Sequence, residues 1–167
     1  MTQQSIAADP ENTLYLELKS GRVVIEMRPD IAPKHIARIK ELVRQKFYDG
    51  LKFHRVIPGF MAQTGDPRGD GTGGSGQNIA AEFTDLESFY RGTVGMARSQ
   101  NPNSADSQFF ITFAPSKWLD GQYTIWGEVV DGMEHVDAIK KGDESANGLV
   151  DDPDKIITLR VAADVKK

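Results

Sequence analysis

The segment 53–63, with the sequence FHRVIPGFMAQ, constrains the fold more than any other part of this 167-residue chain. Its residues alternate as in two short β-strands, and the Pro-Gly pair between them marks a turn. In the first strand, the alternation predicts that Arg55 shares a face with Phe53 and Ile57, opposite to His54. Because a guanidinium is rarely buried without a partner, Arg55 either bridges a carboxylate at a barrel rim or serves a function.

Alternating apolar residues predict further strands along the chain. Residues 14–27 read as a hairpin with a turn near Gly21, and one face of it is apolar. Additional strands are predicted at 90–97, 107–113, 123–130 and 157–161. The pattern therefore indicates a β-rich protein of about eight strands without a βαβ rhythm. Antiparallel pairing into a barrel would leave no exposed strand edges.

Two amphipathic helices accompany the strands. The first is predicted to begin at Pro33, because proline suits the first helical position. Its apolar stripe consists of Ile36, Ile39, Val43 and Phe47. The second is predicted to be capped by Asp131, with Glu134 completing a capping box, and to end at Gly142. Its buried stripe is predicted to consist of Met133, Val136 and Ile139.

The composition fits one domain and excludes several classes of function. The chain has no cysteine and a net charge of −4, which excludes disulfides and a cysteine nucleophile and argues against non-specific nucleic-acid binding. It contains no apolar run long enough to span a membrane, and its polar N-terminus has no features of a secretory signal. We expect a flexible N-terminal tail at 1–11, a single domain at 12–163, a C-terminal tail at 164–167, and a cytoplasmic location.

Several motifs resemble ligand-binding sites but lack the sequence context that such sites need. The glycine-rich stretch 65–76 contains a GxGxxG pattern, but no strand–helix context surrounds it, so it is not a dinucleotide site. The acidic stretch 151–154 lacks a calcium-binding pattern. His35 and His135 are predicted to lie at helix surfaces, and His54 to be a hydrogen-bonded structural residue. No metal and no cofactor are expected.

Four separated motifs carry a family resemblance. They are FHRVIPGFMAQTGD, GDGTGG, SQFFIT and WLDGQYTIWG. In their order along the chain, and over Leu14 to Val161, the sequence resembles the cyclophilin family of peptidyl-prolyl isomerases. The resemblance implies a closed eight-stranded antiparallel β-barrel capped by two α-helices. It also implies an enzyme that accelerates rotation about X-Pro peptide bonds and assists protein folding.

The resemblance assigns roles to individual residues. Arg55 matches the catalytic arginine. The proline-ring pocket is matched by Phe60, Met61, Phe110 and Leu119. The groove for the peptide main chain is matched by Gln63 and Gln108, with the backbone around Ala97, Arg98 and Ser99. Trp118 matches the tryptophan linked to cyclosporin binding. Two departures are Tyr123, where many members have histidine, and Arg98-Ser99, where Asn-Ala is commoner.

The residues themselves suit this reaction. Arginine does not give up its proton in a protein, so Arg55 can act only by donating hydrogen bonds and charge. When an X-Pro bond twists, the lone pair of the prolyl nitrogen localises and becomes an acceptor, which a guanidinium stabilises more than either planar isomer. The expected partners are proline-containing peptides, unfolded proteins and cyclosporin-type inhibitors. The protein is expected to be a monomer. The alternative is a proline-binding or chaperone module with little turnover.

Overall fold

The computed structural model describes residues 9–165, so most of the two predicted tails, at 1–8 and 166–167, lies outside the described part of the chain. A 3-10 helix, Pro10–Asn12, falls at the end of the predicted N-terminal tail. Another, Ala162–Asp164, follows the last strand. The predicted domain boundaries remain a prediction.

The architecture is mainly β, as predicted. Among the described residues, eight strands form one sheet: β1 (Thr13–Leu18), β2 (Gly21–Met27), β3 (Arg55–Ile57), β4 (Met61–Thr64), β5 (Thr93–Met96), β6 (Phe109–Thr112), β7 (Ile125–Asp131) and β8 (Thr158–Val161). Their order across the sheet is β3-β4-β6-β5-β7-β2-β1-β8, and each of these pairs is antiparallel. The predicted hairpin near the N-terminus is the β1–β2 pair.

The sheet curls into a half-barrel, so the prediction of a closed barrel was too strong. Within residues 9–165, the two edge strands β3 and β8 form no ladder with each other. Irregular backbone bonds cross the gap instead, from Gly50 N to Ile156 O at 2.7 Å and from Val56 N to Gly148 O at 2.8 Å. Within the described chain, the segment opposite β3 meets that strand and the residues before it only through isolated bridges, Arg55 with Leu149 and Lys52 with Lys155, and it turns at the left-handed residues Asn147 and Asp152, with φ of 58° and 52°.

The first helix, α1 (Pro33–Arg44), begins where the sequence predicted and packs on the core. Its buried apolar residues are Ile36, Ile39, Leu42 and Val43. Its N-terminus is capped from outside the helix: the carboxylate of Glu82 accepts bonds from Lys34 N at 3.0 Å and His35 N at 2.8 Å. The surface position predicted for His35 is wrong, because its ring is fully buried with Nδ1 2.6 Å from the same carboxylate.

The second helix, α2 (Met133–Asp137), is shorter than predicted, and its predicted capping box is wrong. Asp131 ends β7, and Gly132 takes the N-cap position with φ of 85° and no side-chain bond. A Cβ at that position would overlap the carbonyl oxygen of Arg22, so only glycine lets the chain turn there. Ile139 lies beyond the helix but is buried as predicted.

Apolar residues cover both faces of the strands near β6, and this places the site. Phe109 and Trp126 point into the half-barrel, whereas their neighbours Phe110 and Ile125 belong to a second, outer cluster. Period-two alternation thus gives this sheet an inner core and an outer apolar floor. Phe53, predicted to share the face of Arg55, precedes β3 and is buried in the inner core instead.

Candidate active site

One row of paired residues across four strands builds the site. The register pairs Arg55 with Gln63, Gln63 with Phe110, and Phe110 with Gly95. Directly paired residues project on the same face of a sheet, so a cation, an amide and an aromatic ring stand side by side. A Cβ at Gly95 would lie 2.6 Å from the Phe89 ring and 2.8 Å from the Phe110 ring, so the glycine makes room for both rings.

A cavity of about 170 Å³ opens beside this row. Its floor is apolar and buried, since Met61, Phe110 and Leu119 are 2%, 5% and 7% exposed. It is lined by Arg55, Phe60, Met61, Gln63, Ala97, Arg98, Phe110, Leu119 and Tyr123. Pockets for drug-sized ligands are typically about 300–1,000 Å³, so this slot suits a single small ring.

The other predicted site residues lie next to the slot. Ser99 and Gln108 line a neighbouring cavity of about 320 Å³, which shares Gln63, Ala97 and Arg98 with the first. Trp118 lies outside both, 68% exposed. Its ring centroid is 5.5 Å from that of Phe60, at the rim of the slot. The structure therefore brings eleven of the twelve predicted residues into two adjoining cavities that form one groove, and it places Trp118 at the rim beside Phe60.

Neutral oxygens hold the Arg55 guanidinium. Nε donates to Asn147 O at 3.0 Å, Nη2 to Asn147 Oδ1 at 3.1 Å, and Nη1 to Gln63 Oε1 at 3.0 Å. Among the described residues no carboxylate pairs with it, so the barrel-rim ion pair considered for Arg55 does not occur there. Burial lowers the pKa of Arg55 from its ordinary value, but an arginine so placed stays cationic at neutral pH.

Sequence reasoning missed Asn147, which lies 92 positions from Arg55. The loop that contains it, between α2 and β8, is ordered by its own bonds: Asp143 Oδ1 accepts from Ser145 N at 2.9 Å, and Gly148 N donates to Asp143 O at 2.8 Å. The available signal was the Asn-Gly pair, which marks a tight turn but not what the turn touches.

An amide chain links Arg55 to the glycine-rich loop. Gln63 Nε2 donates to Gln108 Oε1 at 2.9 Å, and Gln108 Nε2 donates to Gly71 O at 3.0 Å and Gly73 O at 2.9 Å. Each donation fixes the orientation of one amide, and this turns the Gln63 oxygen toward Arg55. The glycine-rich stretch therefore contributes backbone carbonyls that brace the site.

His54 differs from its prediction. It is buried, at 3% exposed, and neither ring nitrogen has a hydrogen-bond partner within residues 9–165. Burial lowers its pKa, against an opposing effect of the Asp66 carboxylate, so the ring is neutral at neutral pH. It points away from Arg55, beneath the glycine-rich loop, where a Cβ at Gly71 would lie 3.6 Å from Nε2.

The part of the chain that the structure describes shows no cluster of three or more His, Asp or Glu side chains suited to a metal ion. None of its helices has the length and apolar character needed to cross a membrane. The groove itself offers two guanidiniums, several amides and an apolar slot.

Fold and groove together define a class: a curled antiparallel β-sheet protein with an extended groove and one ring-sized apolar slot. The chain belongs to the cyclophilin-type peptidyl-prolyl cis-trans isomerase family, whose profile matches residues 13–161. This confirms the predicted resemblance and its span. The chain is accordingly a peptidyl-prolyl cis-trans isomerase.

Relatives and solved structures agree with this assignment. A probable peptidyl-prolyl cis-trans isomerase of Brucella suis is 58% identical over 98% of this chain and 89% of the relative. Peptidyl-prolyl cis-trans isomerase-like 1 of Mus musculus is 41% identical over 80% of this chain and 86% of its own length. Cyclophilin AquaCyp293 from Hirschia baltica has a TM-score of 0.83 at 27% identity and covers 95% of this chain and 76% of its own. A Cryptosporidium parvum cyclophilin, solved in the presence of the dipeptide Ala-Pro, has a TM-score of 0.81 at 29% identity, covering 89% and 98%.

Proposed function

We propose that Arg55 catalyses isomerisation by donating a hydrogen bond to the prolyl nitrogen as the X-Pro bond twists. The observation that carries this is a guanidinium at the slot, fixed by three bonds to neutral oxygens. A guanidinium has five N–H donors, so these three leave two for substrate. Because the prolyl nitrogen accepts a bond only when its conjugation is broken, the interaction stabilises the twisted state selectively.

The magnitudes require more than Arg55. Uncatalysed isomerisation takes about 10–100 s, and turnover in milliseconds requires a barrier lower by about 5–6 kcal/mol. One bond to a charged donor supplies about 1.5–3 kcal/mol. The remainder comes from an apolar slot that excludes water around the ring and from groups that hold the flanking peptide while the bond rotates. Met61, Phe110 and Leu119 are proposed for the first role.

The two glutamines of the groove differ in what they can offer a peptide. Gln63 uses one of its two N–H donors on Gln108, which leaves one for a peptide carbonyl. Both donors of Gln108 are taken by Gly71 O and Gly73 O. We therefore assign Gln63 to holding the peptide, with the backbone of Ala97, and Gln108 to bracing Gln63. Ser99 donates both its N–H and its O–H to Ser104 Oγ, so it can offer a peptide only acceptor oxygens.

Substrates and inhibitors are proposed at the same groove. An Ala-Pro segment, the dipeptide present with the Cryptosporidium parvum cyclophilin, would place its ring over Met61 and Phe110 in this chain. Proline-containing stretches of unfolded proteins fit the same open groove. Cyclosporin binding is supported by the exposed Trp118 at the slot rim. A monomeric state and a cytoplasmic location stay predictions.

The test is the cis/trans exchange rate of an Ala-Pro peptide, measured by NMR exchange spectroscopy with and without micromolar protein. We expect acceleration by orders of magnitude. Binding without acceleration would leave the alternative, a proline-binding or chaperone module. Line broadening of peptide signals at higher protein concentration separates that outcome from an absence of any binding.

A further inference from the structure

The groove holds two arginines that pair with no carboxylate among the described residues. Most arginines of residues 9–165 pair with carboxylates: Arg22, Arg28, Arg38, Arg44, Arg91 and Arg160. Within this range, Arg55, Arg98 and Arg68 make no such pair. Arg68 is exposed and lines neither cavity, whereas Arg55 and Arg98 both line the slot. In a chain with a net charge of −4, two of the three arginines without a carboxylate partner in this range therefore lie at the slot.

Arg98 is held in place without being neutralised. Its Nε and Nη2 donate to Gln122 O at 2.9 and 2.6 Å, and Nη1 donates to Ser99 O at 2.8 Å and Gln100 O at 3.3 Å. Its Cζ lies 4.7 Å from the centroid of the Tyr123 ring, a cation–π distance. These carbonyls and the ring carry no full charge, and one N–H on Nη2 is left over.

The other charged group of the larger cavity does not cancel Arg98. The carboxylate of Asp106 also lines that cavity, but its Oδ1 accepts from Ser75 N at 2.7 Å and Ser75 Oγ at 2.6 Å, and its Oδ2 accepts from Gly76 N at 3.0 Å. Arg38 Nη2 donates to the same Ser75 Oγ at 2.9 Å. The Asp106 carboxylate is therefore held by the glycine-rich loop, and it forms no ion pair with Arg98.

We propose that Arg98 makes this isomerase prefer peptides with an aspartate or glutamate close to the proline. Arg98 lines both cavities, so an extended peptide with its proline in the slot has to pass the guanidinium on its way into the larger cavity. The proposal rests on the isomerase activity and adds the charge of the flanking residue to what the enzyme recognises. Partly exposed ion pairs are worth about two- to fivefold in an equilibrium or rate constant.

A peptide series tests this directly. The peptides contain a single proline and vary the three positions before it and the three after it. At each position one peptide carries Glu and its partner carries Gln, and kcat/KM is measured for both by NMR exchange. At low salt we expect the wild type to favour Glu over Gln by about two- to fivefold at one or two positions. Raising the salt to about 0.5 M should remove the preference, since charges near solvent are screened.

Variants locate the effect. In Arg98→Gln the ratio of Glu to Gln peptides should fall to about one, whatever the absolute rates, and Arg98→Lys should restore part of the preference. The matched control is Arg22→Gln, which also removes an arginine stacked on a tyrosine, at 4.1 Å, but lies on β2 and lines neither cavity. It should keep the wild-type ratio.

A Glu preference that survives in Arg98→Gln, or its absence at every position in the wild type, overturns the proposal. If Arg98→Gln does not fold, the wild type decides: a preference that persists at high salt refutes an electrostatic origin. Failure of the isomerase activity itself gives a different result, in which the wild type accelerates neither the Glu nor the Gln peptides.

Discussion

Replacing Arg55 by alanine is the sharpest test of the catalytic role proposed for it. The substitution removes the guanidinium from the slot and leaves the oxygens of Gln63 and Asn147 without their donor. These oxygens face a groove open to water, which can replace the lost donor. We therefore expect the free energy of unfolding to change by less than about 1 kcal/mol, as for most substitutions outside the core.

The rate effect follows from the bond that is lost. A hydrogen bond from a charged donor is worth about 1.5–3 kcal/mol, which corresponds to about a 10- to 150-fold fall in kcat. Because this bond forms only in the twisted state, KM should stay within about twofold. Arg55→Lys keeps the charge but cannot reproduce three bonds in a planar fork, so it should recover only part of the loss.

The assay is NMR exchange on an Ala-Pro peptide, with Kd from titration and Tm from circular dichroism. Arg22→Ala is the control, because Arg22 is 47% exposed, pairs with Glu17 and lines no part of the groove. Turnover of Arg55→Ala within about threefold of the wild type would refute the role, since it would show that the bond is worth less than about 1 kcal/mol. If the Kd of Arg55→Ala instead rises by as much as kcat/KM falls, Arg55 binds the planar peptide as strongly as the twisted state and is not catalytic.

Three further predictions follow. Asn147→Gly keeps the left-handed backbone but removes Oδ1 from Arg55, so kcat should fall several-fold with Tm unchanged; an unaltered kcat would show that the carbonyl alone suffices. Burial lowers the pKa of His54 below its ordinary 6.5, so the unfolded chain takes up the proton first and stability falls as the pH drops below about 6.5; His54→Gln should show a smaller fall of Tm between pH 7 and 5, and an equal fall would contradict this. Cyclosporin should change the fluorescence of the exposed Trp118 but not of the fully buried Trp126, so the response should vanish in Trp118→Phe; an unchanged wild-type spectrum at saturating drug would count against the groove assignment.

The sequence predicted the elements of the fold well because local rules decide them. Alternation located the β1–β2 hairpin, and Pro33 with its apolar stripe located α1. The errors arose where tertiary contacts outweighed local preference. Asp131 has the chemistry of an N-cap, yet pairing with β2 keeps it in β7, and the closeness of the Arg22 carbonyl reserves the next position for Gly132. The burial of His35 depends on Glu82, 47 positions away.

The closed barrel was likewise beyond local prediction. Opposite β3 the chain turns at Asn147 and meets the strand through isolated bonds, such as Val56 N to Gly148 O, instead of a ladder. Sequence patterns give strand periods but not the partner of an edge strand. The closed barrel was implied by the family resemblance alone, and the structure shows that the hydrogen-bonded ladder ends at the edge strands β3 and β8.

The environment of Arg55 shows why the local rule of burial pointed to the wrong partner. That rule expects a half-buried guanidinium to find a carboxylate, and the other arginines of the sheet and of α1 do so. A carboxylate beside Arg55 would cancel the charge that the prolyl nitrogen is proposed to need. Amide oxygens from Gln63 and Asn147 fix the same fork at about 3.0–3.1 Å and leave the charge in place. A guanidinium that lines an apolar slot and is held only by neutral oxygens keeps its charge for the substrate. A guanidinium in an ion pair does not, and this difference separates Arg55 from the paired arginines.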